Sequence, residues 1–257
     1  MVYELGVPRR IMQRTSRRTF VGGAAAALAL ATSTRLLAQE TTPVSRAEGE
    51  SDAVAVLKSA GDAVLALDTF AFDMQTTQGS STIFPGVDLI SVVGAVRRPL
   101  DLVANLTVKV LVQTMEIGAV GVDGHFYIQD PLSGGAWQQI SSAREVVNMV
   151  NPDWIILAAV NLIKDARITD DSEDSKLVEG YLDFAESLSQ AGATDLSELE
   201  QFLATGPVDV AIWINGDNLI ERVELYGPIF ASESTDVEKR IELSGFNEPV
   251  EIEKPVI

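Results

Sequence analysis

The chain has 257 residues, contains no cysteine and carries a formal net charge of −18 at pH 7. This length allows one large domain whose core needs no disulfides, and the lack of cysteine excludes disulfides, thiolate metal ligands and lipidation on cysteine. The acidic balance disfavours nucleic acid and anionic head groups, so we expect no nucleic-acid partner. Solubility is the simplest interpretation of this charge, and binding of divalent cations is the alternative.

The first 38 residues have the pattern of an export signal. Arg17 and Arg18 lie directly before an apolar run at residues 20–31, which suits a signal core and is too short to span a bilayer comfortably. Residues 16–21 resemble a twin-arginine signal, with a buried Ala-rich helix as the alternative. We therefore expect an exported protein of the cell envelope, either released by cleavage or tethered by an uncleaved N-terminal segment.

Residues 39–50 are rich in Thr, Ser, Glu and Pro and predict a flexible linker, so we expect residues 51–257 to form a single domain. Residues 51–67 have helical spacing, with an apolar stripe made of Val54, Leu57, Ala60, Val64 and Leu67. Apolar residues then alternate with polar or small ones over residues 70–75, which predicts a half-buried strand.

Four more strand candidates follow, at residues 88–98, 101–114, 115–122 and 125–130. Asp123-Gly124 suits a two-residue hairpin turn between the last two of them. In the longest candidate the even-numbered positions 106 to 112 are apolar and the odd-numbered ones are mostly polar. One dry face and one wet face are typical of an antiparallel sheet.

The second half of the chain is predicted to contain two helices and four strands. Asn151-Pro152-Asp153 opens a helix that is apolar nearly all round, and such a helix needs cover on more than one side. The later elements are an acidic turn at 170–174, a strand at 177–184, a short helix at 195–204, and strands at 208–215, 219–227 and 237–246. Because βαβ alternation is missing, we predict an α+β fold with an antiparallel sheet.

The sequence contains no recognisable set of catalytic residues. His125 is its single histidine, so no histidine pair can hold a metal ion and a serine triad would have to use this side chain. A structural or surface histidine is the simpler interpretation. The acidic residues at 170–174 lack the central glycine and closing glutamate of a calcium loop, which favours a solvated turn. We expect no enzyme activity, no cofactor and no metal site.

Several segments follow one another in a specific order and spacing. They are Asp123-Gly124-His125-Phe126-Tyr127-Ile128 followed by Trp137, Asn151-Pro152, Val178-Glu179-Gly180, Pro207-Val208-Asp209-Val210-Ala211-Ile212-Trp213-Ile214, residues 219–225, and residues 243–255. In this order they resemble the mycobacterial LppX/LprA/LprF/LprG lipoprotein family, over roughly residues 51–257. The family's lipobox cysteine is missing, because Thr32 and Ser33 follow the apolar run, so lipid anchoring is not carried over.

The resemblance implies a fold related to LolA and LolB, in which a curved antiparallel sheet, an incomplete half-barrel, wraps around a few helices and leaves an apolar cavity. It implies a protein that binds acyl chains of lipid or glycolipid and transfers them. We also expect a monomer, with a membrane transporter or another envelope protein as a possible partner. Two alternatives stay open: a scaffold or sensor of the same fold that acts through a protein partner without lipid transfer, and a hydrolase acting on lipid or sugar.

An apolar cavity can hold acyl chains without strongly polar groups, since each buried methylene contributes about 0.8 kcal/mol. The candidate wall residues are inward apolar positions of the predicted strands and helix, and ordinary core packing is the alternative for each of them. They are Phe70, Phe72, Ile90, Val92, Leu106, Val108, Val110, Ile156, Leu157, Val160, Ile212, Ile214, Val223 and Leu225.

Overall fold

The computed structural model describes residues 46–84, 86–99, 101–130, 134–140, 152–183 and 204–257. The export signal predicted in residues 1–38, and nearly all of the helix predicted at 195–204, lie outside these residues. The helices are α1 (Arg46–Leu65) and α2 (Asp153–Leu162). The strands are β1 (Thr69–Gln78), β2 (Ser81–Phe84), β3 (Val87–Arg97), β4 (Asp101–Val110), β5 (Gln113–Val122), β6 (His125–Asp130), β7 (Ala136–Ile140), β8 (Lys164–Asp171), β9 (Ser175–Leu182), β10 (Val208–Asn215), β11 (Ile220–Tyr226) and β12 (Glu238–Ser244).

The twelve strands within the described ranges form one antiparallel sheet in the order β7-β6-β5-β4-β3-β1-β12-β11-β10-β9-β8, and β2 pairs only with β3 on this sheet. Strand β1 pairs with β3 on one side and with β12 on the other, so it joins two meanders, β3–β7 and β8–β12. Strands β7 and β8 stand at the two ends of this order. The result is the curved, unclosed antiparallel sheet with few helices that the sequence predicted.

The strand register places the core on one face of the sheet, which we call the inner face. Directly opposed residues of an antiparallel pair lie on the same face. The cross-strand row Met74, Val92, Leu106 and Ile117 runs over four strands on this face. The first three of these side chains are buried and belong to the main apolar core, which also contains residues of both helices.

Helix α1 contributes its apolar stripe to this core. Leu57, Ala60 and Val64 are buried as predicted, but Ala53 takes the place expected for Val54, whose side chain is exposed. The helix begins at Arg46, so residues 46–50, interpreted from the sequence as the end of a linker, belong to its first turns. The described residues all lie in one compact unit.

The two helices approach each other closely at Gly61. A Cβ atom placed on Gly61 would lie 2.5 Å from Cγ1 of Val160, so α2 can pack at this distance only because residue 61 has no side chain. Arg98 ties the start of α2 to the sheet, since its guanidinium pairs with Asp153 at 2.9 Å and lies 5.5 Å from the ring centre of Phe70. Contacts of α2 with both α1 and β9 supply the two-sided cover that its apolar surface requires.

Three strands escaped prediction, namely β2, β7 and β8. Strand β2 has four residues, and β7 and β8 are the end strands of the sheet with largely polar or exposed side chains, so their periodicity is weak. Residues 170 and 171, which were predicted as part of an acidic turn, are the last two residues of β8. The turn is therefore confined to residues 172–174. The strand predicted at 101–114 is in fact split by a tight turn at Leu111-Val112.

Candidate functional site

Most of the predicted wall residues lie in the main core. Eleven of the fourteen are buried, with exposed fractions of 0 to 6%, and Val110 and Leu157 are half-buried. Side chains with so little exposed surface are in contact with other atoms on nearly all sides. The eleven buried residues are Phe70, Phe72, Val92, Leu106, Val108, Ile156, Val160, Ile212, Ile214, Val223 and Leu225.

Ile90 is the exception among the predicted residues, because its side chain is 37% exposed. The pairing of β3 with β4 shifts register between Leu89 and Ser91, which leaves Ile90 as the extra residue of a β-bulge. A bulge redirects the side chains on either side of it, so Leu89 and Val92 both point inward. Simple alternation along β3 therefore misses this bulge, although Ile90 still lines the small hollow described below.

The inner face is less completely covered on strands β5 to β7 than on β10 to β12. On β10–β12 the inner residues Ile212, Val223 and Ile241 are fully buried. On β5–β7 the register continues the same face through apolar residues that are only half-buried. These residues, which we call the far wall, are Met115, Ile117, Ala119, Phe126, Ile128 and Ile140.

A small hollow lies between β1, β2, β3 and β12 and the start of α2. Its volume is about 10 Å³, which is room for about one water molecule. The apolar part of its lining includes Met74, Leu89, Ile155 and Phe230, and the polar part includes Lys239. In this structure the hollow is therefore far smaller than an acyl chain.

A buried ion pair stands beside the hollow. The carboxylate of Glu233 accepts hydrogen bonds from Ser81 Oγ (2.6 Å) and from the backbone N–H groups of Ile229 (2.9 Å) and Phe230 (3.1 Å), and it pairs with the ammonium of Lys239. Burial lowers the pKa of Lys239, and the adjacent Glu233 opposes that effect. The Lys239 ammonium also lies 5.4 Å from the ring centre of Phe230.

Sequence reasoning missed this ion pair, although one signal for it was present. Lys239 occupies an inward position of β12, in alternation with the buried residues Val237, Ile241 and Leu243. A lysine at such a position needs a buried partner, because an unpaired charge in an apolar core is costly. The partner, Glu233, lies in the loop before β12.

The outer face of β5 and β6 carries a second, smaller core. The C-terminal segment crosses it, so that Ile252 packs with Val120, Val122 and Tyr127. The Lys254 ammonium lies 5.6 Å from the ring centre of Tyr127, and Arg97 donates a hydrogen bond of 3.3 Å to the backbone oxygen of Ile252. This cluster supports the far wall from behind.

The residues considered for chemistry occupy exposed positions. His125 is exposed, and its Nδ1 lies 3.2 Å from Nε2 of Gln139. Asp171, the last residue of β8, pairs with Lys176 of β9. Over the residues that the structure describes, no three His, Asp or Glu side chains are grouped so as to hold a metal ion. Neither described helix is long and apolar enough to cross a membrane.

A curved, unclosed antiparallel sheet whose inner face packs on few helices is the half-barrel fold of the LppX and LprF lipoproteins. Among solved structures, the chain is similar to LprF from Mycobacterium bovis, with a TM-score of 0.56 and 17% identity over 80% of this chain and 97% of LprF. It is also similar to the Mycobacterium tuberculosis lipoprotein LppX, with a TM-score of 0.52 and 15% identity over 79% of this chain and 100% of LppX.

No protein-family model matches the chain, and no curated protein matches it either. At these levels of identity the likeness to LprF and LppX shows a shared fold. The expected fold class is therefore confirmed, while the ligand and the activity belong to the proposal that follows.

Proposed function

We propose that this chain is an exported protein of the cell envelope that binds the acyl chains of a lipid or glycolipid against the inner face of its sheet and transfers them. The half-barrel fold shared with the lipoprotein LppX supports this proposal. The observation that carries it is the far wall, where apolar residues of the inner face stay half-buried although they continue the rows of the main core.

The physical basis is the burial of hydrocarbon. An acyl chain laid along Ile117, Phe126 and Ile128 would contribute about 0.8 kcal/mol for each methylene that it buries. Ala119, which pairs with Ile128, has a small side chain and leaves room for such a chain close to the backbone, whereas the ring of Phe126 already covers Gly121.

Entry of a ligand requires movement, because the remaining inner residues are tightly packed. At Gly61 the two helices touch through a glycine and the apolar side chain of Val160, neither of which offers a side-chain hydrogen bond to the other helix. We assign the opening to this contact. Separation of α2 from α1 would uncover the inner face between the far wall and the fully buried residues of β10–β12.

The test begins with the full chain purified without detergent, extracted with organic solvent and examined by mass spectrometry. We expect co-purified lipid, and we expect the extracted protein to take up a fluorescently labelled fatty acid. The variant I117N/I128N should take up at least about tenfold less, since two amides would line the acyl path. The matched control is V93N, because Val93 is an exposed residue on the outer face.

Failure of the purified protein to carry or take up any lipid would contradict the proposal. A stable protein partner recovered from such a lipid-free preparation would favour the scaffold or sensor alternative. The proposal assigns binding without catalysis. The substitution H125A should therefore leave lipid uptake unchanged, and hydrolysis of ester or glycoside substrates that H125A abolishes would contradict this part.

A further inference from the structure

The turn between β4 and β5 exposes two large apolar side chains next to each other. Val112 is 90% exposed and Leu111 is 78% exposed, more than any other large apolar side chain described before residue 256. The turn contains only these two residues, since Val110 and Gln113 already pair across the hairpin. We call Leu111 and Val112 the β4–β5 tip.

The backbone of the tip is strained. Leu111 has a φ of 56°, whereas the other described non-glycine residues with positive φ are Asp123, Asp165, Asn218 and Asn247. Asp and Asn tolerate this conformation, and Gly is the usual residue where a tight hairpin turn demands it. A leucine here is unfavourable both for the backbone and for its solvent-exposed side chain, so the fold of the hairpin does not explain it.

The tip lies beside the turn between β2 and β3, close to the strands that line the hollow. The backbone N–H of Leu111 donates a hydrogen bond of 3.2 Å to the backbone oxygen of Gly86, in the turn between β2 and β3. Ile83 and Leu89, each three residues from Gly86 along the chain, line the hollow. Residues 109–115 contain Lys109 and no acidic residue, in a chain with a net charge of −18.

We propose that the β4–β5 tip docks the protein on a lipid bilayer by inserting Leu111 and Val112 among the acyl chains at the membrane surface. Two side chains are far too small for a stable protein–protein interface, which buries about 800 Å² on each partner. A fluid apolar layer needs no complementary shape, and the Lys109 side chain can reach the head groups. This inference rests on the proposed function and adds the surface through which lipid would be exchanged.

The test is flotation of the full chain with phosphatidylcholine vesicles in a density gradient. The variant L111G/V112S replaces the apolar pair with residues that suit the turn, so its unfolding temperature should equal or exceed that of the wild type. Its vesicle binding should fall at least about tenfold. The matched control V93S, which removes an exposed apolar residue elsewhere, should float like the wild type.

A dye attached at the tip distinguishes membrane contact by the tip from membrane binding by the N-terminal segment. Because the chain has no cysteine, V112C can be labelled at this position alone with an environment-sensitive dye, and V93C gives the control label. Vesicles should shift the emission of the dye at residue 112 to the blue and leave the dye at residue 93 unchanged. An absent shift at residue 112, or equal flotation of wild type and L111G/V112S, would overturn the proposal.

Two further results distinguish this inference from the proposed function. A wild-type dimer that L111G/V112S dissociates, without vesicle binding, would assign the tip to self-association and overturn membrane docking. Wild-type flotation by a protein whose organic extract contains no lipid would support docking and contradict the carrier function. Co-purified lipid in a protein that does not float would contradict docking alone.

Discussion

The two halves of the inner face share one sheet and one apolar character but differ in cover. On β10–β12, Ile212, Val223 and Ile241 have no exposed surface, and α1 and α2 contact the neighbouring strands β8, β9 and β11. On β5 and β6, Ile117 and Ile128 remain half-buried. The packed half stabilises the fold, and the less covered far wall is the part of the inner face to which we assign the proposed lipid binding.

The difference also explains how the far wall keeps its shape. Because the C-terminal segment packs Ile252 against Tyr127 on the outer face, β5 and β6 do not depend only on inner packing for their stability. A wall supported from behind can present apolar residues on its front without collapsing. The two halves therefore suggest a division between a rigid scaffold and a receptive surface.

The largest expected effect comes from locking the helices together. An ideal Cβ atom on Gly61 lies 3.4 Å from Cβ of Val160, near the separation of about 3.8 Å found in disulfides. In the variant G61C/V160C, oxidation should reduce uptake of a fluorescent fatty acid at least about tenfold, and reduction should restore it. The measurement is uptake by the same preparation before and after treatment with a reductant.

The single variant V160C is the control for the locked helices, since the chain offers no second cysteine for a bridge. Its uptake should not respond to the reductant. Equal uptake by the oxidised and reduced forms of G61C/V160C would show that lipid reaches the far wall without separation of α1 and α2.

The next effect compares one residue from each half directly. The substitution I212A should lower the free energy of unfolding by about 4 kcal/mol, because it leaves a void among fully buried neighbours. The substitution I117A should lower it by only about 1 kcal/mol, because the isoleucine side chain is half-buried before it is removed. Urea unfolding of both variants measures the difference, and equal losses would mean that the two halves are packed alike.

The sequence predicted those parts of this arrangement that depend on local patterns. Alternation at residues 70–75 and the turn residues Asp123-Gly124 correctly indicated β1 and the β5–β6 hairpin. The turn at Leu111-Val112 was not predicted, because neither residue is common in turns. The inward Lys239 escaped because the cluster that stabilises it involves Ser81 and Glu233, which are 152 residues apart in the chain. Local periodicity cannot report a contact over such a separation.

The ion pair of Glu233 and Lys239 tests the place where the two meanders meet, because Ser81 of β2, which pairs with β3, and Lys239 of β12 both contact the same carboxylate. The substitution E233Q leaves the Lys239 ammonium buried without a counter-charge, which should lower the free energy of unfolding by about 3 kcal/mol at pH 7. The double variant E233Q/K239M, in which no charge is buried, should recover most of this loss. Chemical denaturation of the three proteins at one pH gives the comparison.

The free energy of unfolding that E233Q loses should also depend on pH, and the burial of Lys239 determines whether this loss grows or shrinks as the pH rises. Burial lowers the pKa of Lys239 below its ordinary value of 10.5, so the unfolded chain holds this proton more tightly than the folded chain does. Stability then rises with pH in the window that ends at 10.5. The difference in the free energy of unfolding between E233Q and the more stable E233Q/K239M should therefore shrink between pH 7 and pH 10. A constant or growing difference would mean that Lys239 reaches solvent and that the two meanders do not cover it.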